Sequence, residues 1–282
     1  MYINSDDIGK VFSKRENDTH KGRFGTVLCI CGSYAENGAA MCGAAYLCGL
    51  ASYRCGAGVV RIYTHRENYA PIAANLPEAV YSLYSGTPDL EALASLAKNA
   101  DCVVVGCGLS QSENAKKMLE CALENTASRL VIDADGLNLM ANDNSLWGKI
   151  HCPTVITPHI GEMARLCGKS IGEIAENCVD IAKSFAKDRG VVCVLKSHKT
   201  VVSDGESVYI NTTGNPAMAK GGSGDVLAGI LGGALAQKHI YEGFDIAYVS
   251  ACCVYIHGKA GDDAAQKLGE YSVLARDIAN NI

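Results

Sequence analysis

Gly221, Gly222, Ser223 and Gly224 stand directly before Asp225, which opens the apolar run Val226-Leu227-Ala228-Gly229-Ile230. Three glycines in four residues let the backbone take positive φ and bring N–H groups close to a ligand, and the positive end of a following helix attracts phosphate. A carboxylate beside bound polyphosphate repels it, so Asp225 is a poor phosphate ligand. It is well placed to orient or deprotonate a hydroxyl that receives a phosphoryl group. The same residues also suit a plain glycine-rich turn with Asp in the first helical turn. Val226, Leu227, Ile230, Leu231, Ala234 and Leu235 recur at helical spacing, while Gly229, Gly232, Gly233 and Ala236 leave another face nearly bare. That helix is expected to be buried and closely packed, with its N-terminus aimed at one place.

Five other loops carry residues that could do chemistry. Residues 31–40, Cys-Gly-Ser-Tyr-Ala-Glu-Asn-Gly-Ala-Ala, are small enough to let a ligand reach the backbone, and equally form a simple turn. Gly106-Cys107-Gly108-Leu109-Ser110 offers N–H groups to an anion or ribose, or is a strand-to-helix turn. Asp133-Ala134-Asp135 sets two carboxylates two residues apart, a spacing that suits Mg²⁺, sugar hydroxyls or an ordinary turn. Thr157-Pro158-His159-Ile160-Gly161-Glu162 puts His159 at a strand end just before a helix, a place for ligand contact or for mere exposure. Lys196-Ser197-His198-Lys199-Thr200 forms a polar hairpin that could clamp nucleotide phosphates or ribose against the 221–225 loop, and could also be a solvated tip.

The elements that must position these loops alternate. Residues 26–31, 38–53 and 58–64 read as strand, helix, strand; residues 101–106 and 129–133 as buried strands around a helix over 113–124; residues 154–157 as a strand before a helix from 161 to 167. A helix over 171–187 precedes strands at 191–196, 200–203 and 207–210, spaced closely enough for an antiparallel edge. Alternation of this kind implies an α/β fold with a mostly parallel sheet covered by helices, whose ligands lie beyond the carboxyl ends of the strands. No linker, repeat or composition shift divides the 282 residues, so one domain over 1–282 is expected.

A formal charge of −5 and no run of Lys or Arg longer than two argue against nucleic acid or a polybasic membrane contact, leaving small molecules as the expected partners. The 14 cysteines contain no Cys-x-x-Cys pair and sit mostly in apolar runs, as core-filling thiols of a reducing cytoplasm would. With no signal-peptide pattern and no long apolar run, a cytoplasmic location is expected.

Taken in order, Gly56-Ala57-Gly58-Val59-Val60, Asp133 to Asn138, Thr157 to Met163 and above all Asn215 to Gly229 resemble the ADP/ATP-dependent NAD(P)H-hydrate dehydratases, from about Lys21 onward. The resemblance implies a ribokinase-like three-layer α/β/α fold and repair of hydrated NADH or NADPH, with ADP or ATP and Mg²⁺ driving dehydration. It implies Asp225 as the base, with Ala39, Ala40, Gly108, His159 and Asp225 contacting the hydrated dinucleotide. Lys196, Ser197, His198, Lys199, Thr200, Gly222, Ser223 and Gly224 would hold the adenine nucleotide; the metal ligands stay unassigned. It also implies a homo-oligomer, a tetramer being one form, and a separate upstream epimerase, because the chain is too short to include that domain. Two positions depart from the family pattern: the hairpin lacks the two glycines of Lys-Gly-Ala/Ser-Gly-Thr, and Cys107 stands where proline is usual. A small-molecule kinase of the same fold and a non-catalytic dinucleotide-binding protein are the competing readings. A conventional oxidoreductase lacks its Gly-x-Gly-x-x-Gly fingerprint here.

Overall fold

Runs such as Cys102–Val105 and Val192–Leu195 are apolar and buried at every position, which suits strands covered on both faces. The computed structural model describes residues 1–35 and 38–282, and in it the strands form one nine-stranded sheet. They are β1 Thr26–Ile30, β2 Val59–His65, β3 Val80–Tyr84, β4 Cys102–Val105, β5 Leu130–Ile132, β6 Thr154–Ile156, β7 Val192–Leu195, β8 Val201–Ser203 and β9 Val208–Ile210. The order is β3-β2-β1-β4-β5-β6-β7-β8-β9. Every pair from β3 to β7 is parallel, and β7-β8 and β8-β9 are antiparallel, as the close spacing of the last strands indicates.

Side chains alternate across the sheet with period two. Val27, Cys29, Cys102 and Val104 enter one core with the helices Cys42–Arg54, Ser223–Leu235 and Ile246–Leu268, while Leu28, Ile30, Val103 and Val105 enter the other with Leu90–Asn99 and Glu113–Asn125. The result is helix, sheet, helix, the three-layer arrangement expected. Because β1 lies between β2 and β4, the chain leaves β1 in one direction and β4 in the other. The loops after these strands therefore part and open a crevice at the carboxyl edge.

The Ser223–Leu235 helix is buried from Val226 to its end. Its bare face permits backbone-to-backbone approach: a Cβ on Gly229 would collide with the Cys48 carbonyl of the Cys42–Arg54 helix, and one on Gly233 with the Ser52 carbonyl. Ser52 Oγ donates to the Gly229 carbonyl at 3.1 Å and to Cys48 O at 2.9 Å, fixing the two helices together.

Some elements differ from expectation. The helix expected from 38 begins at Cys42, because the residues before it bond outside a helix, Ala35 N donating to Ala39 O at 2.8 Å and Met41 N to Ser33 O at 2.9 Å. The helix expected over 171–187 is two, Ile171–Glu176 and Cys178–Arg189, divided at Asn177, whose φ of −126° and ψ of 32° leave the helical region. The half-exposed edge strand β3 and the closing helices Ile246–Leu268 and Ala275–Asn280 were not among the expected elements. No helix among the described residues is long and apolar enough to cross a membrane.

The Gly233 contact yields a stability prediction. Gly233→Ala drives a methyl into a carbonyl that cannot retreat, and should cost about 1–3 kcal/mol by overpacking. Urea unfolding of the two proteins measures it; an unchanged midpoint would show that the helices do not meet this closely.

Candidate active site

Asp133 follows the last residue of β5, buried at 1% exposure, and would be costly there without compensation. Lys196, just past β7, supplies it: Nζ lies 2.7 Å from Asp133 Oδ1, and Thr157 Oγ1 donates to the same oxygen at 2.7 Å. Burial pushes the Asp133 carboxyl up, but the charge and hydrogen bond of Lys196 and the Thr157 hydroxyl outweigh it and hold the group below its ordinary value. For Lys196 burial acts downward, and the charges of Asp133 and Glu162, whose Oε2 is 3.9 Å away, raise it. The pair is therefore ionised on both sides.

Asp225 stands across from this pair. Gly222 caps the Ser223–Leu235 helix at φ 97°, a conformation that favours glycine, and turns the chain so that Asp225 falls in the first turn. One oxygen each of Asp225 and Asp133 and the Sγ of Cys107 lie within 4.8 Å of one another. Burial first, and then the neighbouring Asp133 charge, push the Asp225 carboxyl up to about 6, with Cys107 and Lys196 acting the other way. A carboxyl so placed is poised to take a proton near neutrality. A Cβ on Gly224 would stand 3.4 Å from Lys196 Nζ and 3.7 Å from Asp133 Oδ2, so this glycine keeps the space above the ion pair open.

Helix first turns leave N–H groups unpaired, and those of this buried helix face the same crevice as a fixed positive end. The segment before it is held from the Ile246–Leu268 helix: Asp262 accepts from Gly214 N at 3.0 Å and Asn215 Nδ2 at 2.8 Å. Asn215 Oδ1 in turn accepts from Ala217 N at 3.0 Å. Ser223 Oγ and His257 Nε2 are buried here without a hydrogen-bond partner, and burial lowers His257 to about 4 despite its bond to the Ser223 backbone.

The two carboxylates of the 133–135 turn are sent to different tasks. Between them Ala134 takes φ 47° and ψ −115°, a strained conformation for a residue with a Cβ. Asp133 points to Lys196, and Asp135 Oδ2 accepts from Ser110 N at 2.8 Å, fixing the loop after β4. Gly108 in that loop has φ 60°, and a Cβ on it would lie 2.8 Å from Ala44 Cβ and 2.9 Å from Met41 Cβ, so the two crevice loops are packed together there. Ala39 and Ala40 are exposed at the crevice lip, and Ala40 bridges to Tyr34; Glu36 and Asn37 of this loop lie outside the described residues.

His159 caps the Ile160–Cys167 helix: Nδ1 accepts from Gly161 N at 2.9 Å and Glu162 N at 3.2 Å, and Glu162 Oε2 accepts from His159 N at 2.8 Å. Its ring is 53% exposed at the same sheet edge, with Nε2 3.4 Å from Glu162 Oε1, so a ligand can reach the ring face while both nitrogens are engaged. In the hairpin, Lys196 turns inward to Asp133, and only His198 and Lys199 are exposed. The missing glycines are replaced without strain, since no residue from 196 to 200 has positive φ. Thr200 Oγ1 accepts from Ser197 N at 3.3 Å and donates to Ser197 O at 3.1 Å, closing the turn.

Sequence reading did not single out Thr157 and Glu162 as partners of the ion pair, nor His257 and Asp262. The signal for the last two was Gly258 and Gly261, three apart on one helix face, where added Cβ atoms would collide with Thr213 and Met218 of the loop. As for Mg²⁺, the donor groups of three or more among the described residues all include cysteine. An all-oxygen cage built by the protein does not fit, and Mg²⁺ would have to arrive on nucleotide phosphates. A cavity of about 560 Å³ lined by Lys14, Arg15, Arg23 and His239 lies at the amino ends of β1 and β4, remote from this crevice.

Fold and site together define a ribokinase-like protein, with the Asp225 carboxyl at a helix N-terminus beside a polar sheet edge. The chain belongs to the NAD(P)H-hydrate dehydratase family, whose model matches residues 27–282. It is 35% identical to an ADP-dependent (S)-NAD(P)H-hydrate dehydratase of Lactiplantibacillus plantarum, over 99% of this chain and 94% of that protein. It is also 35% identical to a bifunctional NAD(P)H-hydrate repair enzyme of Moorella thermoacetica, over 94% of this chain and 50% of the relative. The chain thus spans about half the length of such bifunctional relatives. Among solved structures, an ADP/ATP-dependent NAD(P)H-hydrate dehydratase of Bacillus subtilis, co-crystallised with ATP and Mg²⁺, superposes with a TM-score of 0.85 at 27% identity, covering 99% of this chain and 95% of that one.

Two measurements check the electrostatics. A carbon-13 titration of the Asp225 carboxyl should show its inflection near 6, well above that of an exposed aspartate; an inflection in the ordinary range would remove the burial and charge coupling. Lys196→Met leaves the Asp133 carboxylate buried and unpaired, and should cost about 3–5 kcal/mol in urea unfolding. The pair would be incidental if the variant were as stable as the parent.

Proposed function

We propose that the protein converts (S)-NAD(P)H hydrate back to NAD(P)H, consuming ADP or ATP. The observation that carries this is Asp225, raised to about 6, at the N-terminus of a buried helix. The names of the full-length relatives supply the substrate class. In this reading ionised Asp225 accepts the proton of the ring hydroxyl as its oxygen attacks the terminal phosphorus. The bridging P–O bond breaks and the nucleotide leaves as AMP or ADP. The N–H groups of residues 222–224, of which that of Ser223 is bonded only weakly to the Lys220 carbonyl at 3.4 Å, would meet the charge that grows on the transferring group. The ring C–O bond then breaks with loss of inorganic phosphate, and a ring proton leaves as the double bond re-forms. Phosphorylation turns a poor leaving group into a good one, and Mg²⁺, carried by the nucleotide, offsets phosphate charge when bound. Ala39, Ala40, Gly108 and His159 would line the dinucleotide side of the crevice, and the 196–200 hairpin with Ser223 and Gly224 the nucleotide side.

The same reading treats residues 1–282 as one domain working in the cytoplasm, where these cofactors circulate, and has an epimerase convert the other hydrate epimer. It also carries a homo-oligomer, a tetramer being one form. Light scattering checks this, and a mass of one 29.7 kDa chain would remove it.

The deciding assay incubates the protein with hydrated NADH and ADP or ATP, following the return of dihydronicotinamide absorbance and the release of phosphate. Recovery without nucleotide, or none with either nucleotide, would sink the reading; a stable phosphorylated product would make the protein a small-molecule kinase instead. Asp225→Asn should lower kcat by at least about 10²-fold with little change in substrate affinity. Turnover should rise with pH through about 6 and level off above, because the deprotonated form of Asp225 is the active one.

A further inference from the structure

Behind the Asp133–Asp225 pair three cysteines meet from elements far apart in the chain. Cys31 follows the last residue of β1, Cys107 stands two residues past β4, and Cys48 comes from the Cys42–Arg54 helix. Their Sγ atoms lie within 4.8 Å of one another, all three side chains are buried, and all three are free thiols. Cys29, on the same face of β1, adds a fourth sulfur 3.7 Å from Cys48 Sγ. Thiols are weak hydrogen-bond partners for one another, so a cluster of four gains little from its own contacts.

The spacing suits something else. A tetrahedral cation with metal–sulfur bonds of about 2.3 Å holds its sulfurs about 3.8 Å apart. The Cys29–Cys48 pair already has that separation. The 4.8 Å limit on the other three means that closing around an ion shortens each separation by at most about 1 Å. Soft thiolates select cations of the zinc and cadmium class and discriminate against Mg²⁺, which takes oxygen ligands. Cys31 and Cys107 stand where the β1 and β4 loops begin, and the Gly32 N to Cys107 O bond of 2.9 Å between those loops would have to open for an ion to enter.

We propose that Cys31, Cys48 and Cys107 form a binding site for one soft divalent cation. On binding, three S–H bonds break, three protons pass to solvent and three metal–sulfur bonds form. Cys29 lies beside the group, 3.7 Å from Cys48 Sγ, as a candidate fourth ligand. On the other side, Cys107 is shared with Asp133 and Asp225, so the ion would sit one side chain from the carboxylates of the candidate active site. Filling the site would draw Cys107 away from Asp133, whose Oδ2 now accepts its thiol at 3.7 Å, and would pin the two crevice loops together. Loss of turnover on filling rests on the function proposed above; binding itself does not.

Cadmium is the probe, because its thiolate complexes absorb in the ultraviolet. Titrating the intact protein with Cd²⁺, in the presence of a phosphine reductant, should give a thiolate-to-cadmium charge-transfer band that saturates at one ion per chain, with protons released. Cys48→Ala and Cys31→Ala should each weaken binding at least about 100-fold, beyond what loss of an outer-shell partner costs. Cys193→Ala, in the core on the other face of the sheet, should bind like the parent. A parent protein without the band, or a band of unchanged affinity in Cys48→Ala, overturns the site. Should either variant fail to fold, X-ray absorption of the cadmium-loaded parent decides instead: a shell of three or more sulfurs supports the site, and one of oxygen and nitrogen alone overturns it. Absent turnover in the metal-free protein would count against the proposed function and leave the titration untouched.

Discussion

Two carboxylates close enough to share a ligand cannot both stay ionised in a buried crevice unless one is neutralised, and the ion pair of Lys196 with Asp133 meets that constraint. It joins the ends of β5 and β7 and is supported by Thr157 from the end of β6, so three neighbouring strands deliver one side chain each to a single point. Burial, and then the charge of Asp133 held ionised beside it, raise the proton affinity of Asp225. A site that needs a base working near neutrality gets it from this asymmetry: one aspartate is paired and silent, the other unpaired and responsive.

Position follows from the same economy of backbone. The Ser223–Leu235 helix can bring Asp225 over the pair only because Gly229 and Gly233 let it lie against the Cys42–Arg54 helix carbonyl to backbone, and Gly224 leaves the pair uncovered. Ala134 shows the converse. Its positive φ is strained, yet it is retained between two aspartates that must diverge, one to Lys196 and one to the Ser110 amide.

The sheet and the buried helix were legible because their patterns are strong: Cys102–Val105 has no polar residue, and the 226–235 repeat has one bare face. What escaped reading depends on contacts that no local pattern encodes. β3 is an edge strand whose residues are only partly buried, and its pairing is fixed by β2 rather than by its own alternation. Glu162 reads only as a residue in the first turn of a helix, where it stands, while its charge faces Lys196, which comes from the end of β7. The cysteines were legible as buried thiols and not as a cluster, since Cys31, Cys48 and Cys107 share no spacing rule and meet only through the β1–β4 switch and the helix above it. The hairpin that opens with Lys196 reads as a clamp for nucleotide phosphates or ribose, or as a solvated tip. The fold turns the Lys196 ammonium inward, leaving the hairpin's exposed cationic character to Lys199 and His198.

The hairpin also separates two kinds of glycine. Those missing between Lys196 and Thr200 are replaceable, because Ser197 and Thr200 close the turn with side-chain oxygen at negative φ. Gly224 has no such substitute. Its backbone is helical and accepts any residue, so its constraint is spatial: a side chain there would meet Lys196 Nζ and Asp133 Oδ2 and fill the volume through which a ligand must approach Asp225. A methyl on Gly224 would itself be in ordinary contact with the ion pair, at 3.4 and 3.7 Å, so what a larger side chain there would take is the space above the pair. On that ground the 221–225 loop, and not the hairpin, fixes where chemistry can occur in this chain.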